Sequence, residues 1–132
     1  MTQDQKDLLL QDLSGRIPYG VKMNHIADNE YSPNTLIGIA KDMITLEGLG
    51  GYECVDVEDY KPYLFPLSSM TEEQNGELKD TLSKISLKLL FDEISSECAE
   101  SFVIDFYNKK HIDYRGLIPK GLAIDATGLN IY

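Results

Sequence analysis

The spacing of hydrophobic residues changes along the chain, and each change predicts a different element. Leu9 and Leu13 lie one turn apart within residues 3–14, which predicts a short amphipathic helix. Gly15 follows at the position where a left-handed residue would end that helix. From residue 21 the hydrophobic period becomes two, so we expect a half-buried strand over residues 21–26.

Three further apolar runs predict an antiparallel meander. The first two are separated only by Lys41 and Asp42, a spacing that suits a tight hairpin although neither residue is glycine. The segment GLGG at 48–51 turns the chain again, and the polar residues 28–34 predict a loop. The four expected strands cover residues 21–26, 36–40, 43–46 and 52–57.

Residues 59–69 (DYKPYLFPLSS) form an aromatic and proline-rich connection. Pro62 and Pro66 exclude a helix and disfavour a central strand, because proline has no N–H to donate to a neighbouring strand. We therefore expect a connection whose aromatic rings lie flat against the sheet. These rings belong to Tyr60, Tyr63 and Phe65.

Two helices are expected after this connection. The first begins near residue 70, where Thr71 with Gln74, or Ser69 with Glu72, has the spacing of a capping box. Its single apolar stripe is formed by Leu78, Leu82, Ile85 and Leu89. The second helix follows a cap at Ser95 or Ser96. Its expected inner face consists of Cys98, Ala99, Phe102, Val103, Phe106 and Tyr107.

The C-terminal segment predicts a turn at 113–116 and a closing hairpin of two short strands, 122–124 and 129–132. Together the elements predict an α+β fold. We expect a small bent antiparallel sheet, either a meander or an SH3-like partial barrel, covered by two to three helices. The chain is interpreted as a single domain, residues 1–132. Its parts are a β-rich region (16–66), a helical region (70–111) and a closing turn with short strands (112–132).

The formal net charge of −10 bears on which binding partners the protein can have. Only the segment after residue 100 has more basic than acidic residues, so we expect no direct binding to nucleic acid. An acidic surface could instead imitate nucleic acid towards a basic partner. The N-terminal residues contain no apolar run that could serve as a signal or a membrane span, which predicts a cytoplasmic protein that does not bind membranes. Cys54 and Cys98 are expected to be small buried hydrophobic residues in a reducing compartment.

No motif predicts catalysis, a metal site or a cofactor. The two histidines, His25 and His111, and the two cysteines are too far apart to supply the close ligand pair that zinc sites use. Asp56 and Glu58 share one face of an expected strand, but the oxygen-rich loop of a calcium site is missing. The glycine-rich segment 48–51 lacks the Lys-Ser/Thr of a P-loop. We therefore expect neither a metal nor a cofactor.

The richest chemistry lies between residues 109 and 115, where cations, an acid and an aromatic hydroxyl follow one another. This composition suits a positive pocket for an anionic ligand. It equally suits a helix end with a turn in which the acid accepts backbone N–H groups, the tyrosine packs and the arginine is paired. The candidate ligand-binding residues are Lys109, Lys110, His111, Asp113, Tyr114 and Arg115.

Three segments resemble one protein family: LLLQDLSGRIPYGV (8–21), DYKPYLFPLSSMTEE (59–73) and HIDYRGLIPKGLAID (111–125). They are similar to a family of small uncharacterised proteins from gut Bacteroidales genomes, often in prophages or mobile elements. The resemblance implies an intracellular bacterial protein and a phage or mobile-element accessory role, and it assigns no activity. Each segment contains a junction between helix and sheet, and we expect these junctions to pack on one another.

Three function classes follow. We expect a non-catalytic protein-binding or assembly module that recognises a protein partner or itself, because catalytic motifs are missing and eight tyrosines suit interfaces. One alternative is a small-ligand-binding protein or enzyme with a site around residues 109–115. The other is an acidic nucleic-acid mimic.

Overall fold

The computed structural model describes residues 1–27, 33–48 and 50–132. Its helices are α1 (Gln3–Arg16), α2 (Glu72–Leu90) and α3 (Ser96–Lys109). Its strands are β1 (Lys22–His25), β2 (Asn34–Ala40), β3 (Met43–Gly48), β4 (Gly51–Asp56), β5 (Tyr60–Pro66), β6 (Ile112–Asp113) and β7 (Ile124–Asp125).

The described strands form one open, mixed sheet in the order β4-β3-β2-β1-β5-β6, with β7 also paired to β5. The first four strands are the predicted antiparallel meander, and β5 pairs antiparallel with β1. The two short C-terminal strands run parallel to β5, which makes the sheet mixed. The α+β class is therefore confirmed, and the sheet does not close into a barrel.

The predicted hairpin at Lys41 and Asp42 is confirmed. β2 and β3 pair from Thr35 to Ala40, and Lys41 takes a left-handed backbone with φ of 57°. A two-residue hairpin turn requires a residue with positive φ. Glycine or asparagine usually occupies this position, and Lys41 occupies it here. β3 and β4 pair as far as Gly48 opposite Gly51. Residue 49 of that turn and residues 28–32 of the predicted polar loop lie outside the described residues.

The expectation that the prolines disfavour a central strand within residues 59–69 is wrong. β5 is a central strand, with β1 on one side and the two C-terminal strands on the other. β7 pairs with Tyr63 and Leu64, and β6 pairs with Phe65 and Pro66, so pairing on that side begins only after Pro62. Pro62 therefore lies where those short strands need no donor, and Pro66 is the last residue of β5.

The hydrophobic core lies between α1, the sheet and the C-terminal segment. All of its members are at least nine-tenths buried, and α2 and α3 contribute none of them. The core residues are Leu9, Leu13, Val21, Met23, Leu36, Ile44, Leu46, Val57, Tyr60, Leu64, Leu117, Leu122 and Ala123.

Gly15 does not end α1, contrary to the prediction. The helix continues to Arg16, and the left-handed residue is Gly20, with φ of 67°, after a short 3₁₀ turn. Gly15 instead lies against α3, because a Cβ added there would be 2.7 Å from Nδ2 of Asn108. The glycine allows the two helices to approach closely.

The predicted closing hairpin at the C-terminus is also wrong. β7 pairs with β5 rather than with residues 129–132, which form no strand. The side chain of Tyr132 replaces the missing backbone pairing. Its hydroxyl donates to the carbonyl oxygen of Tyr63 at 2.7 Å and accepts from the N–H of Lys22 at 2.9 Å. The chain end is therefore held across β1 and β5 by one hydroxyl group.

The two later helices form a hairpin at the side of the domain. Thr71 and Gln74 make the predicted capping box of α2, and Ser95 caps α3 through the N–H of Cys98. In the described chain, α3 is the one element against which α2 packs extensively. Of the predicted apolar stripe on α2, only Ile85 is buried, and Leu82 is 43% exposed.

Leu64→Ala should cost about 2–5 kcal/mol of unfolding free energy, because Leu64 is fully buried at the centre of β5. Leu90→Ala on α2 is the matched control. Leu90 is 74% exposed, so its truncation should change stability by less than about 0.5 kcal/mol. Urea unfolding measures both. Equal losses for the two variants would contradict the central position of β5.

Candidate functional site

The candidate residues begin where α3 ends, beside the first turns of α2. Lys109 is exposed, and Nζ of Lys110 lies 2.9 Å from Oε2 of Glu77. This pair ties the end of α3 to α2, but both side chains are partly exposed, so it stabilises the hairpin only weakly.

His111 lies in a different environment from the two lysines. Its backbone is left-handed, with φ of 59°, and its ring stacks on Tyr132 with the centroids 3.7 Å apart. Its Nδ1 atom is buried without a hydrogen-bond partner among the described residues. Burial is the main cause that lowers the pKa of His111 from 6.5 to about 4, and the nearby cations Arg16 and Lys22 lower it further. His111 is therefore a neutral packing residue at pH 7.

Asp113 organises the turn that follows. Its carboxylate is buried and accepts the backbone N–H of Leu117 at 2.8 Å and of Ile118 at 2.9 Å. Gly116 provides the left-handed residue of the turn, with φ of 73°. Both carboxylate oxygens are occupied by the backbone, so Asp113 acts as a structural acceptor.

The ring of Tyr114 lies between three side chains from two helices and the turn itself. It stacks on Tyr107 with the centroids 5.5 Å apart and the planes 19° apart. The guanidinium carbons of Arg16 and Arg115 lie 5.3 and 5.1 Å from its centroid, within the range of cation–π attraction. Tyr114 thus joins the junction after α1 to the turn after α3, which confirms the expected packing of these two junctions.

A buried ion pair, which the sequence reasoning did not identify, lies beneath Tyr114. Asp12 and Arg16 are both fully buried, with Nε of Arg16 2.7 Å from Oδ2 of Asp12. Nη2 of Arg16 also donates to the carbonyl oxygen of Ile112 at 2.7 Å. Arg115 Nε lies 3.4 Å from Oδ1 of Asp12, close enough for ionic attraction but not aligned as a hydrogen bond. The four-residue spacing of Asp12 and Arg16 was the available signal.

The structure does not bring the six candidate residues into one pocket. Asp113, Tyr114 and Arg115 line an open depression of about 530 Å³ next to residues 66–68, whereas Lys109, Lys110 and His111 lie elsewhere. Within this set, the acid is bound to backbone N–H groups and the arginine faces Asp12. These contacts are those of the structural alternative considered for the segment.

The acidic residues and the cysteines considered as further candidate sites are also paired within the fold or lie apart from one another. Asp56 accepts from the N–H of Glu58, and Glu58 pairs with Lys6 at 3.2 Å. No group of three His, Cys, Asp or Glu side chains in the described chain is arranged to hold a metal ion. Cys54 and Cys98 are exposed, so the expectation that they are buried is wrong. Cys54 lies on the outer strand β4, and Cys98 lies in the first turn of α3.

A second candidate site lies between the two helices of the hairpin. We call this shallow cavity of about 130 Å³ the hairpin groove. Phe102 is 42% exposed at its rim, and Nζ of Lys88 lies 5.6 Å from the centre of that ring. Beyond it on α2, Leu87 and Phe91 are 57% and 69% exposed. The groove is lined by Thr81, Lys84, Ile85, Lys88 and Phe102.

Comparison of the chain with protein-family models, with curated proteins and with solved structures finds no match. Within residues 1–27, 33–48 and 50–132, none of the helices combines the length and apolar character that crossing a membrane requires.

Tyr114→Ala should lower the melting temperature by several degrees, because it removes the ring that joins Tyr107, Arg16 and Arg115. Tyr114→Phe is the control. It keeps the ring and removes only the hydroxyl, for which the described chain provides no partner, so its melting temperature should stay near that of the natural protein. Equal losses in both variants would show that the hydroxyl, and not the ring, makes the stabilising contact.

His111 should make the protein less stable in mild acid. Its pKa in the folded state, about 4, lies below the ordinary value of 6.5, so the unfolded chain binds the proton first. The contribution of neutral His111 to the free energy of unfolding is complete above about pH 6.5 and is lost as the pH falls towards 4. His111→Asn suits the left-handed backbone and cannot titrate. Unfolding free energy measured from pH 8 to 4 should therefore fall less steeply for the variant below pH 6.5, and identical slopes would contradict the pKa shift.

Proposed function

We propose that the protein is a non-catalytic protein-binding or assembly module that docks its partner on the hairpin formed by α2 and α3. The single observation that carries this proposal is the exposure of large apolar residues on that hairpin. The most exposed of them are Leu82, Leu87, Leu90, Phe91 and Phe102. Apolar side chains grouped on one exposed element mark interaction surfaces.

The contacts of residues 109–115 support the same function indirectly. Asp113, Tyr114 and Arg115 each contact residues that build the fold, and His111 is stacked on Tyr132. The chemistry that first suggested a ligand site is therefore used within the domain. Among the described residues, the helical hairpin then holds the largest group of exposed apolar side chains, although Ile26, Tyr52 and Leu67 are exposed elsewhere.

The biological setting is proposed from the family resemblance. Similarity to small proteins of Bacteroidales genomes and their prophages supports an accessory role in a phage or mobile element, inside a bacterial cell. An adaptor or assembly role suits such a setting because it needs a binding surface and no catalytic centre.

Site-specific photocrosslinking in cells that naturally produce the protein tests this function. A benzoylphenylalanine at position 87, on the exposed side of α2, should form a covalent adduct with a protein. The matched control carries the probe at position 52, because Tyr52 is 73% exposed but lies on β4 at the far edge of the sheet. That position should form no adduct.

Specificity for the groove is checked in the same chain. Adding Phe102→Glu should abolish the adduct from position 87, because a carboxylate replaces the exposed ring at the rim. Failure to form an adduct at position 87, or equal adducts at positions 87 and 52, would overturn the proposed function.

A further inference from the structure

Several charged residues of α2 lie along one side of the helix, whereas Glu72 and Lys79 lie on the other. Positions 73, 77, 80, 84, 87 and 91 are spaced alternately by four and three residues, so they form one stripe. The first half of the stripe is acidic, and the second half is basic and apolar. In order, its residues are Glu73, Glu77, Asp80, Lys84, Leu87 and Phe91.

The central charges of this stripe have no ionic partner within the domain. Asp80 and Lys84 are one turn apart, yet no ion pair joins them to each other or to another residue of the described chain. Lys88, next to the stripe, lies over the ring of Phe102 and likewise has no carboxylate partner there. The stripe therefore offers both signs of charge to a partner.

From this pattern, and resting on the proposed function, we propose that the partner that covers the hairpin groove is a second copy of this chain, with its α2 antiparallel to the first. A two-fold axis level with position 82 places Asp80 of each copy against Lys84 of the other. It also brings Lys88 close to the partner copy's Glu77, which already pairs with Lys110 of its own copy. The contact between Asp80 and Lys84 then occurs twice, as an isologous interface requires. In the same register Glu77 and Glu73 lie opposite Leu87 and Phe91 of the other copy.

Charge complementarity favours a second copy over an unrelated partner. An acidic protein would satisfy Lys84 and Lys88 but would repel Glu73 and Asp80 on the same stripe. A basic protein would do the reverse. An antiparallel copy satisfies both central charges, Asp80 and Lys84, and also pairs the two helix dipoles favourably. It further covers Leu87 and Phe91, which the isolated domain leaves in water.

The expected contact is small. A helix of 19 residues is about 28 Å long, so a pair of such helices with Phe102 at the side buries on the order of 1,000 Å² in total. This is the lower end of the range for specific interfaces. We therefore expect a reversible dimer with a dissociation constant of roughly 1–100 μM rather than a permanent one.

Charge reversal across the two-fold axis tests the geometry in purified protein. Lys84→Glu and Asp80→Lys should each weaken dimerisation at least about tenfold, because each places two like-charge pairs in the interface. The double variant carries both changes, restores opposite charges and should dimerise again. An equimolar mixture of the two single variants should form a heterodimer with two correct pairs. Sedimentation equilibrium gives the dissociation constants, and circular dichroism checks that each variant is folded.

Lys79→Glu is the matched control, since it changes a lysine of the same helix that lies off the stripe and should leave the dissociation constant unchanged. A protein that stays monomeric up to about 1 mM would overturn the proposal, as would a double variant that fails to recover. The adduct from position 87 separates the two proposals. A homodimer adduct supports both, an adduct with another protein leaves only the proposed function standing, and a monomer that forms no adduct removes both.

Discussion

The buried ion pair between Asp12 and Arg16 connects helix α1 to the segment that follows α3. One guanidinium neutralises a fully buried carboxylate and also donates to the carbonyl oxygen of Ile112, 96 residues away. A buried charge that loses its partner costs about 3–5 kcal/mol, so the pair tolerates little rearrangement. The position of α1 over the sheet is therefore coupled to the position of the segment that follows α3.

The C-terminal segment is held at several points, two of which involve Arg16. Arg16 fixes Ile112, the first residue of β6, and its guanidinium also lies over the ring of Tyr114. The N–H of Phe65 donates to the carbonyl oxygen of His111, so the same segment completes the pairing of β5. Tyr132 then closes the far end against β1 and β5. A chemically rich segment thus serves as packing between helix and sheet, which explains why its side chains point to different neighbours.

Local patterns predicted much of the fold. The meander, the hairpin at Lys41, the capping box at Thr71 and the α+β class all follow from spacing and turn chemistry within a few residues. The errors concern long-range partners. Pro62 can lie in a central strand because β7 pairs with β5 only beyond that residue. The position of residues 129–132 depends on the hydroxyl group of Tyr132. Neither can be deduced from nearby sequence.

The candidate site shows the same limit. The sequence located the residues of the tail and described their contacts as one of two alternatives, but could not choose between them. Asp12 and Arg16 have the spacing of a helix-surface pair, and only the folded structure shows that they are buried. The apolar face of α2 was misjudged in the opposite sense. Leu78, Leu82, Ile85 and Leu89 have the spacing of core residues, yet only Ile85 is buried in the described chain.

The folding of the domain does not account for α2. No residue of α2 belongs to the central core, and the helix depends on α3 for most of its packing. Gly76 lowers its intrinsic helix stability by about 1 kcal/mol relative to alanine, and nothing within 4 Å explains the glycine sterically. Such an element lies at the low end of local stability, and a partner that binds only the folded helix stabilises it by mass action. Because no residue of α2 belongs to the central core, the proposed binding role would account for the length of this helix and for the apolar residues exposed on it.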